Sequence, residues 1–302
     1  MPTGIILLDK PRGLSSNGAL QRVRKAYRAA SAGHVGTLDP MATGMLPLCL
    51  DEATKVIAEI ESGAKCYEFT VQLGARTDTG DAEGQVVEQQ PVPPLDAARV
   101  ESALSGFRGV LQQVPPMYSA LKREGRPLYE LARQGIEVER AARTIEIRDL
   151  AVVELGADTL RLICECAKGT YIRVLGEDIA RALGTCGHLT YLRRLWVEPF
   201  RLASMVSLDS VLEGAERGEH LQAPDVALKA LPESLLTAEQ VASLRRGQAL
   251  EAGTFVVSGA LPSRRVRVYG PEAAFLGLAE LLADGRLQPR RLLQVVHAKP
   301  ML

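Results

Sequence analysis

The chain has 302 residues, 46% of them hydrophobic and 24% charged, with 36 Lys and Arg set against 36 Asp and Glu. That composition excludes a disordered chain, a collagen-like fibre and a uniformly basic nucleic-acid coat, and the length calls for two domains or one with an appendage. With 1 Trp, 7 Tyr and 5 Phe, the core must be mainly Leu, Val, Ile and Ala.

Gly4 to Asp9 reads as a short buried strand closed by the turn Lys10-Pro11-Arg12-Gly13. Ser15 and Ser16 are candidate N-caps for a helix reaching about Ala30, with Leu20, Val23 and Tyr27 on one face and Arg22, Arg24, Lys25 and Arg28 on the other. No period holds from Ser31 to Leu50, a stretch rich in Gly, Pro and Thr that reads as a long functional loop. Lys65 to Gly74 alternates as a strand, with Tyr67, Phe69, Val71 and Leu73 on one face, and a polar turn region runs from Arg76 to Gly84.

Helices are expected at Leu95 to Leu104, Pro127 to Gln134 and Tyr171 to Leu183, the last ended by Gly184. Strands are expected at Ile145 to Leu155 and Leu160 to Cys166. The irregular alternation predicts an α+β fold with a mixed sheet and argues against a doubly wound one. Residues 202–239 are acidic, with a helix signal at Leu208 to Ala215. A helix over Ala238 to Arg246 then leads into short strands near Gly253 to Ser258, Arg265 to Tyr269, Phe275 to Leu282 and Leu292 to His297, with Asp284-Gly285 as a hairpin turn. This tail reads as a small β-barrel-like appendage.

Cys49, Cys66, Cys164, Cys166 and Cys186 are odd in number and show no Cys-x-x-Cys spacing, so they read as small buried hydrophobes in a reducing compartment. The scattered His34, His188, His220 and His297 suggest no zinc site, so no metal is expected. The apolar run Ile5 to Leu8 is too short for a signal segment or a membrane span, and the protein is expected to be soluble and cytoplasmic.

Chemistry is most concentrated around Asp39. Pro40 pushes the backbone of Asp39 to an extended conformation, and Gly33, Gly36 and Gly44 allow close backbone approach. Such a loop could fix a single carboxylate beside a ligand. A structural Asx-turn is the alternative, and the residues alone leave both open. No Gly-Lys-Ser/Thr element is present, so it is not a Walker P-loop.

The run Gly33-His34-Val35-Gly36-Thr37-Leu38-Asp39-Pro40-Met41-Ala42-Thr43-Gly44-Met45-Leu46-Pro47 closely resembles the signature of the bacterial tRNA pseudouridine-55 synthases, the TruB family. Five further blocks agree in order: Asp9 to Gly13, Lys65-Cys66-Tyr67, Gln113 to Lys122, Lys168 to Arg173 and Leu192-Arg193-Arg194. The segments Phe275 to Leu278 and Leu287 to Arg291 are similar to the family's C-terminal PUA-type RNA-binding domain.

The resemblance implies a pseudouridine-synthase fold with a mixed, mainly antiparallel central sheet flanked by helices and loops, followed by a small PUA-type domain. It places the catalytic domain at residues 1–235, with 202–235 as an acidic linking segment, and the RNA-binding domain at 236–302. It implies that the N1–C1′ bond of uridine 55 in the tRNA T-arm is broken and C5 is joined to C1′, with no cofactor. Asp39 matches the essential aspartate and Arg173 the arginine that pairs with it. Tyr67 matches the ring that stacks on the target base and Leu192 the floor of the base pocket. His34 matches a histidine near the target nucleotide, where a ring filling the vacated stack would offset part of the cost of base extrusion. Tyr171 could contact the nucleotide, Lys10 could support the loop, and Arg193 and Arg194 are plausible phosphate contacts. Asp51 and Glu198 stand where the family pattern usually has glycine.

A tRNA partner is thus implied, with no membrane, no guide RNA and a monomeric state expected. The alternative reading is a non-catalytic RNA-binding or tRNA-folding protein. The zero net charge fits a tRNA partner once it is read in blocks. Residues 1–50 carry six basic and two acidic side chains, 161–201 seven and four, and 240–302 nine and four. Residues 51–100 carry four basic and ten acidic side chains. Phosphate binding needs a local cationic track rather than a basic total, and a track from the tail to the Asp39 pocket is expected.

Overall fold

In a computed structural model the described residues are 2–119, 121–123, 125–259 and 264–297. The elements are, in chain order, β1 (Gly4–Lys10), α1 (Ser16–Ala26), β2 (Ala32–His34), β3 (Thr43–Leu50), α2 (Ile57–Glu61), β4 (Lys65–Leu73), β5 (Ala75–Thr77), β6 (Val86–Gln89), α3 (Ala97–Ser105) and β7 (Gly109–Gln113). There follow β8 (Lys122–Arg123), β9 (Arg126–Pro127), α4 (Leu128–Arg133), β10 (Arg143–Leu155), β11 (Thr159–Cys166), α5 (Ile172–Ala182), β12 (Gly187–Val197), β13 (Val206–Ser207) and α6 (Leu208–Gly214). The chain ends with β14 (Glu233–Leu235), α7 (Ala238–Arg245), β15 (Arg265–Tyr269), β16 (Phe275–Leu281) and β17 (Leu287–His297).

Two compact units share these elements: Met1–Leu38, Leu46–Glu61 and Leu202–Leu302 in the first, Asp39–Met45 and Ser62–Arg201 in the second. In the first unit, β1 is buried almost throughout and pairs in parallel with β13 through Leu8↔Val206. Ser15 caps α1 by accepting from the Gly18 N–H. Ser16 is not a cap: its hydroxyl donates to the Leu38 carbonyl at 2.9 Å and accepts from the Leu38 N–H at 2.8 Å. The helix stops at Ala26, short of Ala30, because Arg28 takes a left-handed backbone with φ 53°.

The expected long loop over 31–50 is shorter than predicted. β2 pairs antiparallel with β3 through Ala32↔Leu50 and His34↔Leu48, leaving 35–42 as the loop. β3 is apolar on both faces and buried from Gly44 to Leu50, so it carries no period-two signal. Lys10 is wholly buried at the end of β1, where its Nζ donates to the Pro11 carbonyl at 2.8 Å and the Leu14 carbonyl at 2.6 Å. These two bonds hold the following turn closed.

The last strands of the first unit form a separate four-stranded sheet in the order β14-β15-β16-β17. Leu236, Leu244, Leu250, Val266, Val268 and Leu276 pack on one side of it. Thr237 and Gln240 form a capping box on α7. The strand expected near Gly253 to Ser258 is only a bridge, Glu233↔Ser258, while the Asp284-Gly285 turn joins β16 to β17 as expected.

In the second unit the strand order is β3-β12-β4-β11-β10-β7. Only the β12–β3 contact is parallel, so this part is mixed and mainly antiparallel, as expected. β4 alternates as its sequence predicts: Phe69, Val71 and Leu73 are buried and Glu68, Thr70 and Gln72 are partly open. β12 had no expected counterpart, yet it lies between β3 and β4. Its basic pair conceals it, because Arg194 sits inside the unit, fully buried, with Nε donating to the Met45 carbonyl at 2.7 Å. α5 packs its apolar stripe of Ile172, Leu175 and Ile179 inward.

Gly44 makes the close pairing of β3 with β12 possible. Its φ is +98°, and an added Cβ would lie 2.1 Å from the Arg194 carbonyl oxygen. Gly44→Ala is therefore expected to force the two strands apart and cost about 2–3 kcal/mol, combining backbone strain with overpacking. Urea unfolding of the two proteins side by side measures this.

Candidate active site

The site is assembled within the second unit. Asp39 starts a four-residue turn: its carbonyl accepts from the Ala42 N–H at 3.0 Å, with Pro40 at the second position. Met41 and Ala42 are buried and anchor the turn, while the Asp39 side chain stays 34% exposed. A carboxylate is thereby held by its own backbone yet remains open to solvent on one side.

Arg173 lies in the first turn of α5 and is only 5% exposed. Its guanidinium meets Asp39 side-on, with Nε 2.9 Å from Oδ2 and Nη2 3.2 Å from Oδ1. The remaining donors go to backbone: Nη1 to the Thr79 carbonyl and Nη2 to the Tyr118 carbonyl, both at 2.7 Å. A cation at a helix N-terminus opposes the helix dipole. Here two carboxylates offset that cost, because the buried Asp81 also places Oδ2 3.7 Å from Nε. The two-pronged contact fixes the plane of the Asp39 carboxylate, which a lysine could not do.

Sequence reasoning missed Asp81, reading residues 76–84 only as a polar turn region. Asp81 belongs to the polar stretch between β5 and β6 and is buried, with Oδ1 accepting from the Thr79 hydroxyl at 2.7 Å and the Glu83 N–H at 3.1 Å. The turn that presents it passes Glu177 through Gly80, where φ is +74° and a Cβ would stand 2.5 Å from Glu177 Oε1. The dense Asp-Thr-Gly-Asp run was a visible turn signal, but nothing local links it to Arg173. Asp81→Asn keeps the turn's acceptor and removes the charge beside Nε. It is expected to lower kcat about tenfold, the equivalent of one charge-assisted contact, with little change in KM. Steady-state kinetics on the tRNA substrate that the resemblance implies would check it.

Tyr67 is buried on β4 opposite Arg194 of β12. Burial raises its phenol above the ordinary value, the Arg194 guanidinium opposes that rise, and the Asp39 carboxylate adds to it. The phenol is therefore neutral and lies within electrostatic reach of Asp39. Tyr171 is half-buried, and burial raises its phenol too, with Arg173 and Asp39 both acting on it. Leu192 is buried opposite Phe69 on the neighbouring strand. Arg193 is partly exposed, with Nη1 3.4 Å from the Thr43 hydroxyl.

The structure thus brings together Asp39, Arg173, Tyr67, Tyr171 and Arg194. The expectation of a phosphate contact fails for Arg194, whose side chain has no exposure and serves Met45 and Tyr67. Lys10 and His34 belong to the first unit. There Lys10 closes its own turn, and partly buried His34 pairs through its backbone with Leu48.

Comparison with solved structures defines the class. A chain of a Cbf5-Nop10-Gar1 complex superposes with a TM-score of 0.74 at 23% identity, covering 98% of this chain and 85% of that one. A chain of an H/ACA ribonucleoprotein bound to a substrate RNA containing 2′-deoxyuridine gives 0.73 at 20% identity, covering 97% and 86%. The fold is the pseudouridine-synthase fold, α+β with a large mixed sheet and a C-terminal domain. Family models then cover residues 24–172 (TruB family pseudouridylate synthase, N terminal domain), 173–246 (tRNA pseudouridylate synthase B C-terminal domain) and 232–293 (Pseudouridine synthase II TruB, C-terminal). The tRNA pseudouridine synthase B of Chromohalobacter salexigens is 49% identical over 96% of this chain and 94% of its own length. That of Burkholderia mallei is 47% identical over 96% of each. The chain belongs to the TruB family of pseudouridine synthases.

Proposed function

We propose that this chain is a tRNA pseudouridine synthase that isomerises uridine 55 in the T-arm. The observation that carries the reading is the Asp39 carboxylate, one-third open to solvent and clamped side-on by a buried arginine. This is an arrangement for a reacting group, which a purely RNA-binding protein would not need. The family and its curated relatives supply the reaction class.

The reaction conserves all atoms. The N1–C1′ bond breaks, the uracil turns, C5 bonds to C1′, the C5 proton leaves, and N1 takes up a proton in its place. Asp39 acts on the bound nucleoside, at C1′, at the base or at the 2′ proton. Arg173 holds its carboxylate in one orientation in all three cases. Tyr67 offers an aromatic face to the extruded base and Leu192 its apolar floor. Tyr171 borders the nucleotide, and His34 fills the vacated stack. Lys10 maintains the turn after β1, and Arg193 contacts phosphate. Arg194 holds Tyr67 in place.

In this reading residues 1–235 carry the chemistry and 236–302 bind RNA. The enzyme works as a monomer in the cytoplasm without guide RNA, metal or cofactor. No helix among the described residues is long and apolar enough to cross a membrane. The test is to incubate pure protein with unmodified tRNA in chelator and map pseudouridine chemically. Product at position 55 from the wild type and none from Asp39→Asn is the expected result. No product from either, or equal product from both, would overturn it.

A further inference from the structure

Helix α5 begins without a side-chain cap of its own. Its N-cap residue is Tyr171, whose side chain makes no capping hydrogen bond. The backbone there is held from another element instead. Gln113, the last residue of β7, accepts from the Tyr171 N–H through Oε1 at 2.8 Å and donates Nε2–H to the Tyr171 carbonyl at 3.1 Å. A primary amide has a donor and an acceptor side by side, so it can pair with the N–H and C=O of one residue as a neighbouring strand would. The Tyr171 carbonyl also accepts the first helical bond, from the Leu175 N–H at 3.0 Å.

Gln113 is itself rigidly placed. It is 5% exposed, and its backbone sits opposite Arg143 in the ladder with β10. The segment that leaves Gln113 returns to the same helix turn, where the Tyr118 carbonyl accepts from Arg173 Nη2. One short stretch of chain therefore grips α5 twice, once through the Tyr171 backbone and once through the Arg173 guanidinium. Arg173 is two residues beyond the gripped peptide, and its fork sets the plane of Asp39.

We infer that Gln113 is a positioning residue for the reaction. By holding the peptide at Tyr171 it fixes the depth and rotation of the first turn of α5, and so the pose in which Arg173 presents Asp39 to the nucleotide. Neither end of the amide touches the Asp39 carboxylate, so Gln113 acts through Arg173. The inference rests on the proposed synthase activity for its kinetic consequence, and on hydrogen bonding alone for its structural one.

Two substitutions in the full chain test it. Gln113→Leu keeps the size and removes both bonds. Gln113→Glu keeps the acceptor for the Tyr171 N–H and loses the donor to its carbonyl. Three quantities are measured: kcat on unmodified tRNA, the Kd for that tRNA, and amide hydrogen exchange over residues 169–176. Gln113→Leu is expected to lower kcat by about 10- to 100-fold, the usual penalty of a misplaced reacting group. The Kd should change by less than about threefold, and exchange should quicken in the first turn of α5 only. Gln113→Glu should fall between this and the wild type, which also serves if the leucine variant fails to fold. Wild-type kcat in Gln113→Leu, or a loss confined to Kd, overturns the inference. If the wild type makes no pseudouridine, the proposed function falls and the kinetic role falls with it. Quickened exchange in the leucine variant would then establish the clamp on its own.

Discussion

Asp39→Asn is expected to reduce pseudouridine formation by at least about 10³-fold, the scale seen when a nucleophile or base is removed. The substitution is almost isosteric. It keeps one oxygen within reach of Arg173 and turns an amide nitrogen toward the other donor, so the side-on pairing is lost together with the charge. Because Asp39 is one-third exposed, its pairing energy is partly screened by solvent, and the stability loss should stay below about 2 kcal/mol. RNA affinity should be nearly unchanged. Single-turnover kinetics with a filter-binding Kd separates these quantities. A variant that loses RNA binding and activity together would place Asp39 in recognition instead of chemistry.

Arg173→Ala should cost both stability and activity. The guanidinium is 5% exposed and holds Asp39, the Thr79 carbonyl and the Tyr118 carbonyl, with Asp81 behind it. Truncation leaves buried Asp81 without its cation and two carbonyls without donors. Breaking a buried pair in this way costs about 3–5 kcal/mol. Arg173→Lys discriminates between charge and geometry. The ammonium keeps the positive charge, so most of the stability should return in urea unfolding. It cannot make two parallel contacts with Asp39, so kcat should remain at least about 100-fold down. Full recovery of kcat in Arg173→Lys would mean that charge alone is needed.

Local patterns revealed those elements whose surroundings differ from one face to the other. β4 and β11 alternate because one face of each is covered and the other is partly open, and α5 shows its stripe because one side packs on the sheet. β3 is covered on both faces, so its residues look like an apolar loop interrupted by Gly44 and Pro47. β12 was hidden by Arg193 and Arg194, residues that ordinarily mark a surface, and the burial of Arg194 depends on a carbonyl 149 positions away. The site was no more legible from spacing. Asp39 and Arg173 are separated by 134 positions, and only the family motifs joined them in advance. Asp81 and Gln113 act on Arg173 and Tyr171 across shorter but still long gaps, 58 positions for Gln113 and Tyr171, so no local window of sequence contains both members of either contact.

The burial of every cysteine has a practical corollary. All five thiols are free and enclosed, and burial pushes Cys49 up to about 12 and Cys66 up to about 11. Thiol-directed dyes react with the exposed thiolate, so the folded protein should stay almost unlabelled at neutral pH. Leu202, by contrast, is 100% exposed. Leu202→Cys would add one addressable sulfur without first deleting the native ones. A fluorophore there could report tRNA capture in real time while the native thiols stay silent.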